Sequence, residues 1–312
     1  MSVLTMRING NYHAFYKADL SFSVEQLAHT FRCDIPFMSI DEPLPVEFFL
    51  NDRLIFVGQV DSVDSKTSSG SQVLSVGGRS KSANMVDSRI TMDALYDQDV
   101  ETLLRKLAKP FGLGVKSQVK NMPYIDEFQV NAESPVDNVA QLIREQGYML
   151  IERNGVLTIE EPAHATVDGI GLEVGENVDS LAIKKTFNGL FHTTEVQGQW
   201  DDSNALAVMP SIHRSRTRVI ICDQLQHADA CFSRAQYEKN LSIAQSLVAS
   251  SSIAELFPEL AIDGLNRVIQ VADPTQGFSE MLMIKSLGLS VSESSTSTSI
   301  ELSRPFKEQC DV

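Results

Sequence analysis

The chain has no apolar run near the roughly 20 residues that cross a bilayer. No membrane insertion is therefore expected. Its first residues, MSVLTMRING, have neither a basic n-region nor a long apolar h-region. That predicts no signal peptide and a start in a cytoplasm. Cysteine is scarce and scattered: Cys33, Cys222, Cys231 and Cys310 form no Cys-x-x-Cys pair. Free thiols in a reducing compartment are the default for such a pattern. Positive charge is in deficit, with 26 Lys and Arg against 41 Asp and Glu, a net charge of −15. A nucleic-acid-binding surface needs the opposite sign. The excess fits a soluble protein, or a surface that repels a polyanion.

The usual catalytic signatures are also missing. There is no Gly-x-Ser-x-Gly elbow, no dinucleotide fingerprint among Gly70, Gly77 and Gly78, and no phosphate-cradling Gly-x-x-x-x-Gly-Lys-Ser/Thr loop. The carboxylate pairs Asp41-Glu42, Glu160-Glu161 and Asp201-Asp202 are neighbours in sequence, whereas a glycosidase needs carboxyls facing across a cleft. They read as solvated loops or strand ends. His213, Cys222, His227 and Cys231 come nearest to a metal cluster, but their spacings match no zinc pattern. Cys222, inside an apolar run, reads as a small buried hydrophobe. Gly77-Gly78-Arg79-Ser80-Lys81 invites a phosphate-site reading, but a strand running into a turn explains it more simply. Basic residues are not interleaved with aromatics. No catalytic residue, cofactor site or metal site is predicted.

What the chain does contain is β pattern. At 312 residues, with 43% hydrophobic and 21% charged content, it has the length for two or three domains. Val46, Phe48 and Leu50 lead through Asn51-Asp52-Arg53 to Leu54, Phe56 and Val60, a hairpin signature. A Ser- and Gly-rich loop, Lys66 to Gln72, then leads to Val73-Leu74-Ser75-Val76, with Gly77-Gly78-Arg79 as the strand stop. Such a meander is the unit of a small barrel. Thr5 to Ile8 and Ala18 to Val24 add alternating strands, while Glu25 to Pro36 fits a strand or a short helix. Residues 1–84 form the first β-barrel domain in this reading.

The pattern changes after 84. Val100, Leu103, Leu104 and Leu107 follow helical spacing behind an Asp cap. Ser134-Pro135 starts a second helix that Gly147 ends. Strand-like pieces lie around Gly114 to Val119 and Phe128 to Val130, and the runs flanking Asn154-Gly155 form a hairpin. Residues 85–163 read as a small α+β domain. Residues 164–312 read as a second β-barrel domain with a polar and helical insertion at about 201–250. Its strand candidates are Leu181 to Ile183, Thr193 to Trp200, Thr217 to Cys222, Arg267 to Ala272, Met281 to Ile284 and Leu287 to Val291. Phe232 to Ser250 reads as one helix, and Ser292 to Ser299 as a tip or wide turn. Val46–Val76 and Arg267–Leu302 share one architectural pattern, a weak internal repeat. The fold class is mainly β with α+β.

In this order the motifs resemble those of a family. Val57-Gly58-Gln59-Val60-Asp61 is followed by Leu74-Ser75-Val76-Gly77-Gly78-Arg79-Ser80-Lys81 and by Met85-Val86-Asp87. Glu133-Ser134, Leu142, Gly147-Tyr148 and the Asn154-Gly155 turn come next. Asn266-Arg267-Val268 to Pro274, Met281-Leu282-Met283-Ile284 and Leu302 to Phe306 close the series. The chain is similar to the baseplate hub proteins of Mu-like contractile-tailed phages. Through them it resembles the hub of T-even phages and the N-terminal part of type VI secretion spike proteins. Ser80 stands where that family has an acidic residue, and a Gly-Trp before the closing strands is missing.

The resemblance implies a structural protein rather than an enzyme, with two related β-barrels and an attached α+β domain. It implies a homotrimer whose six barrels form a pseudo-sixfold ring between the hexameric tail tube protein and the trimeric spike protein. Other baseplate proteins would surround the ring, and DNA would pass through its lumen without specific binding. The acidic balance suggests an acidic lumen. The location implied is the virion baseplate, assembled in the host cytoplasm. The alternatives are the hub part of a secretion-system or tailocin spike, and a cell-wall-binding or muralytic tail protein in which residues 85–163 recognise peptidoglycan. A soluble adhesin or carbohydrate-binding β protein is a further alternative.

Overall fold

The computed structural model describes residues 2–68, 71–120, 122, 124–163, 165–212, 215–222 and 227–305. The first part of the chain is all strand: β1 (Leu4–Ile8), β2 (Asn11–His13), β3 (Lys17–Ser23), β4 (Thr30–Pro36), β5 (Pro45–Leu50), β6 (Arg53–Ser68) and β7 (Ser71–Ser80). The ambiguous segment before Pro36 thus ends in a strand. The β5–β6 turn places Asn51 at φ 49° and Asp52 at φ 62°, the twist that a two-residue hairpin demands. The meander differs from the sequence expectation at one point. Gly77-Gly78-Arg79 does not stop β7, which continues to Ser80. A Cβ on Gly78 would lie 2.0 Å from the Gln59 carbonyl oxygen, and one on Gly58 would lie 2.2 Å from that of Arg79. The glycines let two backbones approach closely within the ladder.

The next part contains α1 (Ala83–Asp87), β8 (Ile90–Asp99), α2 (Val100–Ala108), β9 (Gly114–Ser117), β10 (Tyr124–Glu133), α3 (Pro135–Glu145), β11 (Met149–Arg153) and β12 (Val156–Glu160). Asp99 caps α2 by accepting from the Thr102 amide at 2.8 Å. Val100, Leu103, Leu104 and Leu107 are buried with Val136, Val139 and Ile143 of α3. Ser134 sits at the start of α3, but its hydroxyl donates to the Val86 carbonyl at 3.2 Å rather than capping the helix. Strands β8 and β10 pair as a ribbon, and β11–β12–β9 form a small sheet. Asn154 at φ 51° and Gly155 at φ 81° make the β11–β12 turn.

The last part runs β13 (Ala165–Glu173), β14 (Ala182–Lys185), β15 (Thr193–Gln197), β16 (Asn204–Val208), β17 (Thr217–Ile221), α4 (Ala228–Gln245), β18 (Leu247–Ile253), α5 (Pro258–Asp263), β19 (Arg267–Asp273), β20 (Phe278–Ser292) and β21 (Thr296–Ser303). Two expectations change here. The helix starts earlier and ends at Gln245, and Leu247–Ile253 is a strand with strict in–out alternation. The Ser/Thr tip is shorter, because Thr296 to Ser299 already pair with β20.

The main sheet follows the order β14-β18-β21-β20-β3-β4-β7-β6-β5-β1-β2, with β19 pairing both β20 and β13. Among the described residues neither half closes on itself. The two halves share one open sheet, joined where β20 pairs β3, rather than forming two hydrogen-bonded barrels. Within it one strand order occurs twice. The first half reads β3-β4-β7-β6-β5-β1, and the second reads β14-β18-β21-β20-β19-β13. The bulge in β6 between Val60 and Ser62 recurs in β20 between Ile284 and Ser286. One difference separates the halves: β1 is antiparallel to β5, whereas β13 is parallel to β19.

A single apolar cluster underlies the sheet from Leu4 to Leu302. Its centre is aromatic: Phe56 meets Phe22, Phe31 and Phe48 with ring centroids 5.5–6.3 Å apart. A smaller cluster of Val196, Ala207, Cys222, Cys231 and Ala235 lies between α4 and the sheet β16-β15-β17.

Candidate functional site

Along β3, β4, β18 and the distal part of β20, residues alternate between the core and an outer face. The outer face is continuous, and its chemistry is unusual. One row across the ladder reads Ser252, Ser299, Gly288, Ser21, Thr30, Arg79. The next reads Ser297, Ser290, Asp19, Arg32, Gly77, Ser62. A third reads Ser292, Lys17, Asp34, Ser75, Asp64. Serine, glycine and threonine dominate, so the wall is smooth and hydroxyl-lined.

Its charges are balanced, and Lys17, Asp19, Asp34 and Arg79 are engaged internally. Lys17 pairs with Asp19 at 2.7 Å. Asp19 also accepts from the Ser290 hydroxyl at 2.6 Å, across the β20–β3 joint. Ser75 donates to Asp34. Arg79 donates through Nε to Asp61 at 2.8 Å and through both terminal nitrogens to Asp87 at 3.1 and 2.7 Å. The Gly-Gly-Arg-Ser-Lys segment is therefore no phosphate cradle. Its arginine holds β6 and β7 to α1, Ser80 is buried against Ser82 at 2.9 Å, and Lys81 donates to the Gly112 carbonyl at 2.6 Å.

Behind this face the β11–β12 hairpin is wedged between the two halves. Asn154 donates to the Leu54 carbonyl at 2.9 Å on one side. Arg153 donates to the Leu265 carbonyl at 3.0 Å on the other. Glu160, fully buried, accepts from Arg153, from Asn266 at 3.1 Å and from Gln118 at 3.2 Å. A buried carboxylate so surrounded is structural. A second buried set lies beside the wedge. His29 donates through Nε2 to the Glu152 carbonyl at 2.9 Å, and Nδ1 accepts from the Ser23 amide at 3.5 Å. Burial lowers the His29 pKa to about 4 and raises that of Glu152 to about 7. Nothing in the sequence marks either residue, since they lie in ordinary β context and meet only through the fold.

The other residues weighed in the sequence are not brought together. Asp41, Glu42, Asp201 and Asp202 are exposed in loops. Cys222 and Cys231 are buried in the α4 cluster, where Gln141 donates to Cys222 at 2.9 Å and the Cys231 thiol donates to the Ser203 carbonyl at 3.3 Å. His227 is exposed at the start of α4. His213, Cys310 and Phe306 lie outside the described residues. No group of three or more His, Cys, Asp or Glu among the described residues is arranged to hold a metal ion.

No family model matches the chain. Among curated proteins it is similar to the baseplate hub protein gp44 of Escherichia phage Mu, at 21% identity over 281 residues, covering 81% of this chain and 74% of the relative. Among solved structures it resembles the 43 kDa tail protein of prophage MuSo2 from Shewanella oneidensis, with a TM-score of 0.85 and 21% identity over 98% of this chain and 99% of the other. A tail protein from Neisseria meningitidis also gives 0.85, at 16% identity, over 97% and 96%. A type VI secretion component of Escherichia coli, itself similar to tail proteins of bacteriophage T4, gives 0.62 at 13% identity, over 97% and 77%. The chain therefore has the fold of Mu-type phage tail proteins and resembles a Mu baseplate hub protein in sequence. These relatives are structural tail and secretion components, not enzymes.

Proposed function

We propose that this chain is a baseplate hub, three copies of which form a ring joining a hexameric tail tube to a trimeric spike. The observation that carries the reading is the strand order used twice in one open sheet. Two matched halves per chain and three chains give six quasi-equivalent units, the number needed to meet a sixfold tube while keeping threefold symmetry toward a spike. The sequence relative, a baseplate hub protein, supports the same assignment. In this reading the two halves act as the two barrel-like units of the ring, each completed by its neighbours rather than by itself. The site of action is the virion baseplate, reached after assembly in the host cytoplasm.

The hydroxyl-lined face forms the lumen wall in this reading, and DNA passes along it. The sequence suggested an acidic wall. The face is instead charge-balanced: Arg79, Arg32 and Lys17 are interspersed with Asp19, Asp34 and Asp64. Tight phosphate binding needs cations available to replace condensed counterions. Lys17 and Arg79 are instead engaged by carboxylates, which suits passage without retention.

Light scattering of the purified chain tests the ring, with three chain masses expected. A single chain mass at every concentration up to the millimolar range would overturn it. The same fold also supports a secretion-system or tailocin hub, as the likeness to the Escherichia coli secretion component shows for the fold. Which tube and spike co-purify from the native host separates the two.

A further inference from the structure

The repeat leaves one edge of the sheet without its counterpart. In the second half, the distal part of β20 pairs along its free side with β3 of the first half, Ser286 to Ser292 against Ser23 to Lys17. The equivalent stretch of β6 follows its own bulge, Ser62 to Ser68. Among the described residues it pairs only with β7 on one side, and on the other side the pairing of β6 with β5 reaches no further than Gln59. The equivalent of β3 is β14, which among the described residues pairs only with β18 and ends the sheet. Among the described residues the β20–β3 joint is satisfied, while the free sides of distal β6 and of β14 are the two halves of a second such joint.

We infer that a second copy of this chain docks its β14 antiparallel to the distal half of β6, reproducing between chains the β20–β3 joint found within one. This inference rests on the ring proposed above and specifies how its members meet. The repeat also sets the register. Ser62 to Ser68 correspond to Ser286 to Ser292, counted from the two bulges. Ile183 corresponds to Leu20, because Leu20 faces Phe31, which faces Gly78, and Ile183 faces Ala249, which faces Leu302. Transferring Gly288 opposite Ser21 then places Asp64 opposite Lys184 of the neighbouring copy.

Charge and burial both support that register. Asp64 and Lys184 are exposed residues of opposite sign, and opposite charges facing each other across strands are favourable. Within the chain, Leu287 and Leu20 at the satisfied joint are 1% and 2% exposed. Their equivalents, Val63 and Ile183, remain 36% exposed and half-buried respectively. An open strand edge with an uncovered apolar residue is what a pairing strand protects.

The test uses the full chain. Directly opposed residues in an antiparallel ladder have Cα atoms about 4.5–5.5 Å apart, within disulfide range. Asp64→Cys with Lys184→Cys is expected to give chains linked in twos and threes under mild oxidation. Asp64→Cys with Ala182→Cys, two residues out of register, is expected to give none. Asp64→Lys or Lys184→Asp alone is expected to reduce the trimer fraction at least tenfold at a fixed concentration, and the two together to restore it. A trimer by light scattering that fails to crosslink at 64/184, or crosslinks equally at 64/182, overturns this seam and leaves the ring standing. A unmodified chain that stays monomeric at all concentrations overturns both.

Discussion

The His29 imidazole and the Glu152 carboxyl lie 3.7 Å apart in the seam between the first half and the hairpin, and neither is charged between about pH 4 and 7. The contact is therefore one between neutral groups rather than an ion pair. His29 carries its proton on Nε2, which donates to the Glu152 main chain, and Glu152 accepts from the Gly155 amide at the hairpin tip. Burial is the main cause of both shifts.

Opposed pH dependences follow. Burial depresses the His29 pKa from 6.5 to about 4, so its contribution to stability is present above 6.5 and is lost as pH falls toward 4. Burial raises the Glu152 pKa from 4.5 to about 7, so its contribution is present below 4.5 and is lost as pH rises toward 7. Each is worth on the order of 3 kcal/mol across its window, and between about 4.5 and 6.5 the two slopes cancel. In Glu152→Gln only the His29 slope remains, so stability measured by urea unfolding should climb with pH from 4 to 6.5 relative to the unmodified chain. Parallel profiles for the two proteins would refute the assignment.

Arg153→Met should be severe. It takes the Arg153 guanidinium away from the buried Glu160 carboxylate, to which Asn266 and Gln118 still donate. Isolating a buried charge costs about 3–5 kcal/mol. Adding Glu160→Gln removes the charge and should recover part of that loss. Chemical denaturation of the two variants checks the order, and a double variant no more stable than the single would contradict it.

Close backbone approach makes Gly78 irreplaceable. Gly78→Ala would place a methyl 2.0 Å from the Gln59 carbonyl oxygen and 2.7 Å from the Phe31 ring. A loss above about 2 kcal/mol is expected, at the upper part of the overpacking range. Gly189→Ala, with nothing within 4 Å of the added carbon, should stay within about 0.5 kcal/mol. Equal melting temperatures for the two variants would show that the strands can separate locally at no cost.

Much of the fold was legible because local chemistry and tertiary structure agree. Asn51-Asp52 and Asn154-Gly155 take the positive φ values that their turns demand, and Asp99 caps the helix it precedes. Where they disagree, the sequence misleads. Leu247 and Val248 continue the helical spacing of Leu241 and Ala244, with no Gly or Pro between them to announce a stop, yet pairing with β21 draws 247–253 into the sheet. Gly77-Gly78 has the composition of a strand end but lies within a ladder. The hydroxyl face was the least legible feature. Alternating Ser, Thr and Gly in a single strand resembles a weak edge or a loop, and only the pairing of strands as distant as β3 and β20 assembles these residues into one wall. His29 and Glu152, 123 residues apart, share that invisibility.

The wall itself supplies the last prediction. If it passes DNA because carboxylates balance and engage its cations, adding cations in excess of those carboxylates should make it retentive. Ser21 and Ser252 are exposed and lie on one row of the face, separated by Gly288 and Ser299. Ser21→Arg with Ser252→Arg should turn a chain with no measurable affinity for a short duplex at about 150 mM salt into a binder. Its affinity should fall linearly with the logarithm of salt concentration, with a slope that grows with the phosphates contacted. Fluorescence anisotropy across a salt series reads both the affinity and the slope. Equally tight, salt-dependent binding by the unmodified chain would mean that charge balance on this face does not keep DNA from sticking.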